Sequence, residues 1–181
     1  MAGCRPHPTP GRPPRARAGV SVDQALDPAH LRRVFGAFPS GVTALAALVD
    51  GRPVGMAASS FTSVSLAPPL VSVCVAHSST TWPVLRRSGR LGVSVLSADQ
   101  EPAGRQLAAT GVDRFARLTW DATPGGAVLL DGASAWLTCS TEQQVRAGDH
   151  DIVVLRVHDL DADPELAPLV FHASRFRRLA L

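Results

Sequence analysis

The strongest constraint on the fold is a rhythm of short β-compatible runs with turn residues between them and too few helices to interleave. Residues 42–49 form an apolar run after Pro39-Ser40-Gly41, and Asp50-Gly51 is a tight-turn signal leading into residues 53–57, which together predict a hairpin. Residues 70–75 and 91–96 are two further strand candidates. Beyond them the runs 136–142, 152–157 and 169–172 are separated by turns at Gly125-Gly126, Gly132 and Gly148-Asp149. A doubly wound parallel sheet needs a helix after nearly every strand, and only two or three helical segments can be found. The expected class is therefore mainly β with appended helices, closing as an antiparallel barrel.

The helices carry recognisable ends. Asp27 followed by Pro28 reads as an N-cap with proline in the first turn, and Leu31, Val34, Phe35 and Phe38 then recur at helical spacing. Ser78-Ser79-Thr80-Thr81-Trp82-Pro83 marks the N-terminus of a second helix, stopped by Gly89. Ser97, three residues before Gln100, resembles a capping box opening a helix that runs to about Ala109, with Gly111 ending it.

The 181-residue chain has the length for one compact domain with a real core. Its sequence pI near 9.3 would suggest a phosphate-bearing partner, so the position of the charge matters. Four of the 18 basic residues, Arg5, Arg12, Arg15 and Arg17, lie in residues 1–22, which hold no acid; the other 14 face all 15 acids. The basic excess belongs to a Pro/Arg-rich tail, expected to be disordered, and the domain at 23–181 is near neutral. That tail is a docking arm or a solvated extension. Neither a nucleic-acid partner nor a membrane is expected, since no run reaches the roughly 18–20 apolar residues of a span. The tail also lacks the apolar stretch of a signal peptide.

The chain contains no lysine, which excludes P-loop phosphate chemistry and Schiff-base catalysis. Cys4, Cys74 and Cys139 are far apart, so neither a zinc knuckle nor a CxxC couple exists, and a reduced, cytoplasmic setting is the expectation. His7, His30, His77, His150, His158 and His172 show no ligand spacing, and no metal site is expected. What remains is residues 55–69, a string of small and hydroxyl side chains that is either a plain surface loop or a place where backbone groups approach a flat heterocycle.

That string, GMAASSFTSVSLAPPLVSVCV when extended to Val75, resembles the signature of the flavin-reductase-like, FMN-binding split-barrel family. SSTTWPVLRRSGRLGVSVLSADQ, VDRFARLTW, LLDGASAWLTC, AGDHDIVVLRV and VFHASRFRRL resemble further family blocks in the same order, covering residues 31–179. The resemblance implies a six-stranded antiparallel split β-barrel that homodimerises around FMN or FAD. It also implies an NAD(P)H:flavin oxidoreductase, with NADH or NADPH as co-substrate, that passes reduced flavin to a partner monooxygenase. Alternatives on the same fold are an oxidase with tightly bound FMN, a non-catalytic flavin-binding module, or a degenerate dimeric scaffold.

By the same resemblance Ala57, Ala58, Ser59, Ser60, Phe61, Ser63 and Val64 meet the isoalloxazine and ribityl parts, and Ser78, Ser79 and Thr80 meet the phosphate. A helix N-terminus would favour that anion, although the hydroxyls could equally serve only as caps. Arg114, Phe115 and Phe176, with Phe171 and Arg175, wall the pocket, a place packing alone would also explain for the phenylalanines. His150 falls on the family's Gly-Asp-His beside flavin and nicotinamide, against the plain reading of a structural histidine at a strand start. Family members carry Thr where this chain has Ala57 and Asn at Ser59 or Ser94. Each contact so lost is worth about 0.5–1.5 kcal/mol, which predicts weakened flavin retention.

Overall fold

The structure is a computed structural model that describes residues 26–179; the expected 1–22 tail lies outside the described residues. Helix α1 (Pro28–Phe35) begins as its sequence predicts, with the Asp27 carboxylate accepting the N–H groups of Ala29 and His30 at 2.9 and 3.0 Å. Those bonds hold the Asp27 carboxyl below its ordinary range. The helix buries none of its residues fully: Leu31 is half-buried, and Val34 and Phe35 are exposed.

Strand β1 (Ser40–Gly41) leads to the hairpin of β2 (Thr43–Val49) and β3 (Arg52–Ala58). Its turn residues Asp50 and Gly51 have φ of 51° and 74°, both left-handed, as a two-residue hairpin loop of this hand requires. Next come β4 (Thr62–Leu66), β5 (Pro69–Ala76), the single helical turn α2 (Trp82–Leu85) and β6 (Leu91–Val95). A 3-10 turn at Ala98–Gln100 opens α3 (Glu101–Ala108) through the expected Ser97/Gln100 capping box. The rest is β7 (Trp120–Ala122), β8 (Val128–Leu130), β9 (Ala135–Ala147), β10 (His150–Ala162), β11 (Leu169–His172) and β12 (Arg175–Arg178).

Seven strands form one antiparallel sheet in the order β3-β2-β6-β9-β10-β5-β4. A three-stranded sheet, β1-β11-β12, and the β7-β8 pair flank it. Successive β2 residues feed two separate cores. Leu45 and Ala47 join Val73, Val93 and Leu155, while Ala44 and Ala46 join Leu96, Leu107 and Val128. Because both faces of β2 are covered, residues 42–49 read as a continuous apolar run rather than an alternating one.

The observed elements depart from the sequence reading in three places. No ladder among the described residues joins the edge strands β3 and β4, and seven strands rather than six share the main sheet. The helix expected after Ser78 is one turn long, because beyond it the bonds tighten to Arg87 N–H to Val84 O and Ser88 N–H to Leu85 O. Only Trp82 and Leu85 are buried there, too few anchors for a longer apolar face. The hydroxyl-rich stretch, expected as a surface loop or a ligand-facing segment rather than core strand, holds the edge strand β4, which has a bulge between Ser63 and Ser65. An edge strand with one neighbour leaves its polar side chains in water, which is why its pattern does not read as a core strand.

Candidate functional site

A groove runs between β3 on one side and α3 with the following loop on the other. Its first hollow, about 150 Å³, is lined by Val42, Ala57, Ala58, Ser59, Gly104, Ala108, Phe171 and Phe176. The two phenylalanine rings meet edge to face at 5.4 Å, and the Arg105 guanidinium covers Phe176 at 4.9 Å, so this wall is held from behind. The second hollow, about 250 Å³, shares Ala57 and Ala108 with the first and adds Ser78, Ser79, Thr80, Thr81, Thr110 and Arg114. The third, about 340 Å³, shares Thr80, Thr81, Thr110 and Arg114 with the second and extends over Pro53, Val54, Gly55, Val112, Asp113 and Phe115. Along its length the groove thus passes from apolar, through hydroxyl-lined, to a section that begins at a cation.

Arg114 is fixed at the junction of the last two hollows. Its Nε donates to the Ala109 carbonyl at 2.7 Å, and its Nη1 to the Gly55 carbonyl at 3.1 Å and to Thr81 Oγ1 at 2.7 Å. These acceptors are all neutral, and Arg114 makes no ion pair among the described residues. Gln106 of α3 pins the loop by donating to the carbonyls of Arg114 and Ala116, and the Asp113 carboxylate accepts the Phe115 N–H. Phe115 itself is buried and packs edge to face on Trp120.

The hydroxyls of the second hollow are only partly committed. Ser79 Oγ accepts the Trp82 N–H at 3.2 Å and so caps the single turn of α2. With one turn instead of a helix, the macrodipole expected at Ser78–Thr80 is largely missing, and positive charge in this section comes from Arg114. Ser60 faces elsewhere. Its hydroxyl donates to the Cys74 carbonyl at 3.1 Å and accepts the Cys74 N–H at 2.8 Å, which continues the β4–β5 ladder beyond Thr62↔Ser72 by a side chain. Phe61 packs against the first core, and Ser63 and Val64 lie exposed on β4, outside the three hollows.

His150 opens β10, opposite Ala76 of β5, at the tip of the β9–β10 hairpin. Its Nδ1 lies 2.7 Å from the Asp149 carboxylate, and this bond, with the imidazole's charge, holds the Asp149 carboxyl below its ordinary range. In the neutral ring with the donated proton on Nδ1, Nε2 is left as an acceptor, and in the charged ring it is a donor. Close by, His77 Nε2 sits 3.0 Å from the Asp151 carboxylate, which also accepts Gln144 and is lowered chiefly by these two bonds. His150 lines none of the hollows, though the His77 N–H bonds the Asp149 carbonyl, which ties the hairpin tip to the strand leading into Ser78.

Residues 35–180 match the family described as flavin reductase like domain. The chain belongs to that family. It is 40% identical over 160 residues to a flavin reductase of Pseudomonas putida, covering 88% of this chain and 94% of that protein. It is 36% identical to the reductase subunit HsaB of a flavin-dependent monooxygenase from Rhodococcus jostii, over 87% of this chain and 81% of the relative. Among solved structures, the NADH:FAD oxidoreductase SgcE6 of Streptomyces globisporus, in complex with NAD and FAD fragments, superposes with a TM-score of 0.82 at 41% identity. That likeness covers 86% of this chain and 94% of the other.

The groove brings together Ala57, Ala58, Ser59, Ser78, Ser79, Thr80, Arg114, Phe115 and Phe176 of the residues that the family resemblance suggests. It also contains residues the sequence reading passed over, notably Gly104 and Ala108 on α3, with Thr81 and Thr110. A signal for the first pair was present: small residues at i and i+4 leave a helix face that another group can approach. Ser94, at a position where the family often has Asn, is buried, and its Oγ accepts the Leu130 N–H at 2.9 Å, a role inside the core.

Proposed function

We propose that the groove holds a flavin, FMN or FAD, and that the chain is an NAD(P)H-dependent flavin reductase supplying reduced flavin to a partner monooxygenase. The observation that carries this is the graded groove: an apolar end, hydroxyls in the middle and an unneutralised arginine after them follow the order ring, ribityl chain, phosphate. When bound, a flavin supplies the two-electron chemistry, accepting hydride from NADH or NADPH, which leaves as the oxidised nucleotide.

The chain's own residues then bind, orient and exclude water. Ala57, Ala58 and Ser59 admit the ring edge to the backbone, Gly104 and Ala108 keep the opposite wall thin, and Phe171 and Phe176 cover the apolar end. Ser78, Ser79 and Thr80 line the polar section, and Ser60 and Phe61 act by position, anchoring the turn between β3 and β4. Ser63, Val64 and His150, outside the groove of one chain, complete the site at its mouth in a homodimer. Support for the second copy comes from apolar side chains left in water, with Leu66 on the edge strand 94% exposed and Phe35 and Phe38 of the α1 region 69% and 78%. Closure of these strands into a split barrel belongs to the same reading.

In that homodimer His150 Nε2, with the ring oriented by Asp149, would hydrogen-bond the nicotinamide or the flavin edge. Absorbance at 340 nm is the test: NADH or NADPH is consumed only when flavin is added. Consumption without flavin, or none with any flavin, would remove the assignment. His150→Ala is expected to slow hydride transfer far more than it weakens flavin binding, on the scale of a hundredfold for a misplacement of about 1 Å. An unchanged stopped-flow rate constant, normalised to flavin-loaded protein, takes His150 out of the mechanism.

A further inference from the structure

We infer that Asp151 is a positioning residue for the reaction: with His77 and Gln144 it forms a clasp across three strands that fixes the backbone from which His150 projects. The inference rests on the placing of His150 in the flavin reading above and adds what holds it there. Asp151 Oδ1 lies 3.0 Å from His77 Nε2, and Oδ2 accepts Gln144 Nε2 at 2.6 Å, so one carboxylate ties β10 to the end of β5 and to β9. The ladder explains the reach. Asp151 stands opposite Val75 on one side and Arg146 on the other, and His77 and Gln144 lie two residues along the chain from these, diagonal on the same face, a spacing that long side chains span.

Alternation along β10 turns that face inward. Val153, Leu155 and Val157 are buried, as is Val75 opposite Asp151, so Asp151 is the polar end of the core face. His150, one residue away, projects to the opposite face, and the clasp therefore leaves the imidazole free while fixing the main chain beneath it. That main chain needs fixing. His150 with Ala76 is the last rung of the β5–β10 ladder, followed by the bond from the His77 N–H to the Asp149 carbonyl at 2.9 Å, and end rungs open first. Asp149 is no substitute. Its side chain is 94% exposed with one side-chain partner among the described residues, an arrangement that turns the ring but adds little rigidity. The Asp151 side chain, 19% exposed and bonded to partners from two other segments, is the anchored acid of the two. His77 also leads directly into Ser78, Ser79 and Thr80, so the clasp sets the distance between His150 and the hydroxyl-lined section of the groove.

The test is stopped-flow hydride transfer from NADH to bound flavin on the full chain, normalised to flavin-loaded protein, in a double-mutant cycle of Asp151→Ala with His150→Ala. Asp151→Ala is expected to lower the rate constant about tenfold, part of the roughly hundredfold that a misplacement of about 1 Å costs, while leaving the flavin Kd unchanged. In the His150→Ala background the same substitution should change the rate by less than about twofold, because nothing remains for it to position. Asp151→Asn keeps an acceptor for His77 and, with the Gln144 amide turned over, a donor to its oxygen, and should restore most of the rate. His77→Phe removes only the β5 arm of the clasp and runs through the same cycle, with the same coupling expected, if Asp151→Ala yields no folded protein. A loss by the same factor in both backgrounds makes the clasp merely structural and overturns the inference. An unchanged rate constant in Asp151→Ala beside a slow His150→Ala overturns it too, and leaves His150 standing. A His150→Ala variant as fast as the parent removes the reading of His150 and the positioning role with it, and a parent that reduces no flavin removes the reductase reading as well.

Discussion

Replacing Gly104 with alanine should make the protein more stable and a poorer flavin binder. Gly104 sits in the interior of α3 and is buried, and a Cβ there would lie 3.4 Å from Leu96 Cδ1 and Phe176 Cε1 and 3.5 Å from Leu169 Cδ2. All three are ordinary contacts with side-chain carbons, so the helix need not move. In a helix interior alanine is favoured over glycine by about 0.8–1.0 kcal/mol. The methyl would also be buried, but crowding against the Phe176 ring offsets part of that gain, and a net stabilisation of about 1 kcal/mol is expected. For a domain of this size that is a rise in Tm of about 2–4 °C. The same methyl enters the apolar hollow, whose volume is only about 150 Å³. One surplus methyl in a close-fitting pocket costs about tenfold or more in discrimination, so Kd for flavin should rise by that order. Thermal unfolding without flavin and fluorescence titration with it measure the two effects separately. A fall in Tm would show that the α3 packing has been misjudged, and an unchanged flavin Kd would remove the apolar hollow from the ring site.

Ser60→Ala should cost about 1–2 kcal/mol, the net worth of its two bonds to the Cys74 backbone, with Ser60→Thr restoring most of it; urea unfolding decides, and no loss would mean that the clamp is idle. Burial pushes the Cys139 thiol up to about 12, so it should resist alkylation in the native state at pH 8 and label only on unfolding; native labelling of Cys139, located by peptide mapping, would contradict its burial. His158 is lowered from its ordinary value of 6.5, by burial first and then by Arg90 and Arg156, so below pH 6.5 the unfolded chain takes up the proton before the folded one. Stability should therefore fall as pH drops through 6.5 toward the lower folded value, and His158→Gln should flatten that slope; an identical pH profile for the two proteins would refute it. Asp149, Asp151 and Glu142 are also held low, by bonds from His150, His77 and Arg156 respectively, and their contribution should be lost only below about pH 4.

What could be read from the chain alone is what depends on neighbours within a few residues. The Asp27 cap, the Asp50-Gly51 turn and the Ser97/Gln100 box each complete their hydrogen bonds or backbone angles within about four positions, so composition and spacing suffice to predict them. The continuous apolar run of β2 was equally legible, although not its reason, which is burial on both faces. The ordered family blocks carried most of the groove wall, because Ala57 to Ser59 and Ser78 to Thr80 lie within two of them.

Contacts across the fold decided the rest. Whether the Ser60 hydroxyl faces a ligand or a neighbouring strand depends on Cys74, which β4 and β5 bring opposite it. Whether Arg114 is a surface ion or a fixed, unneutralised cation depends on the Gly55 carbonyl and the Thr81 hydroxyl, 59 and 33 positions away in the chain. A sequence specifies donors and acceptors, but which of them remain without a partner emerges only when packing has matched the others. The charge at the junction of the groove is such a remainder, and for that reason it is a property of the tertiary structure alone.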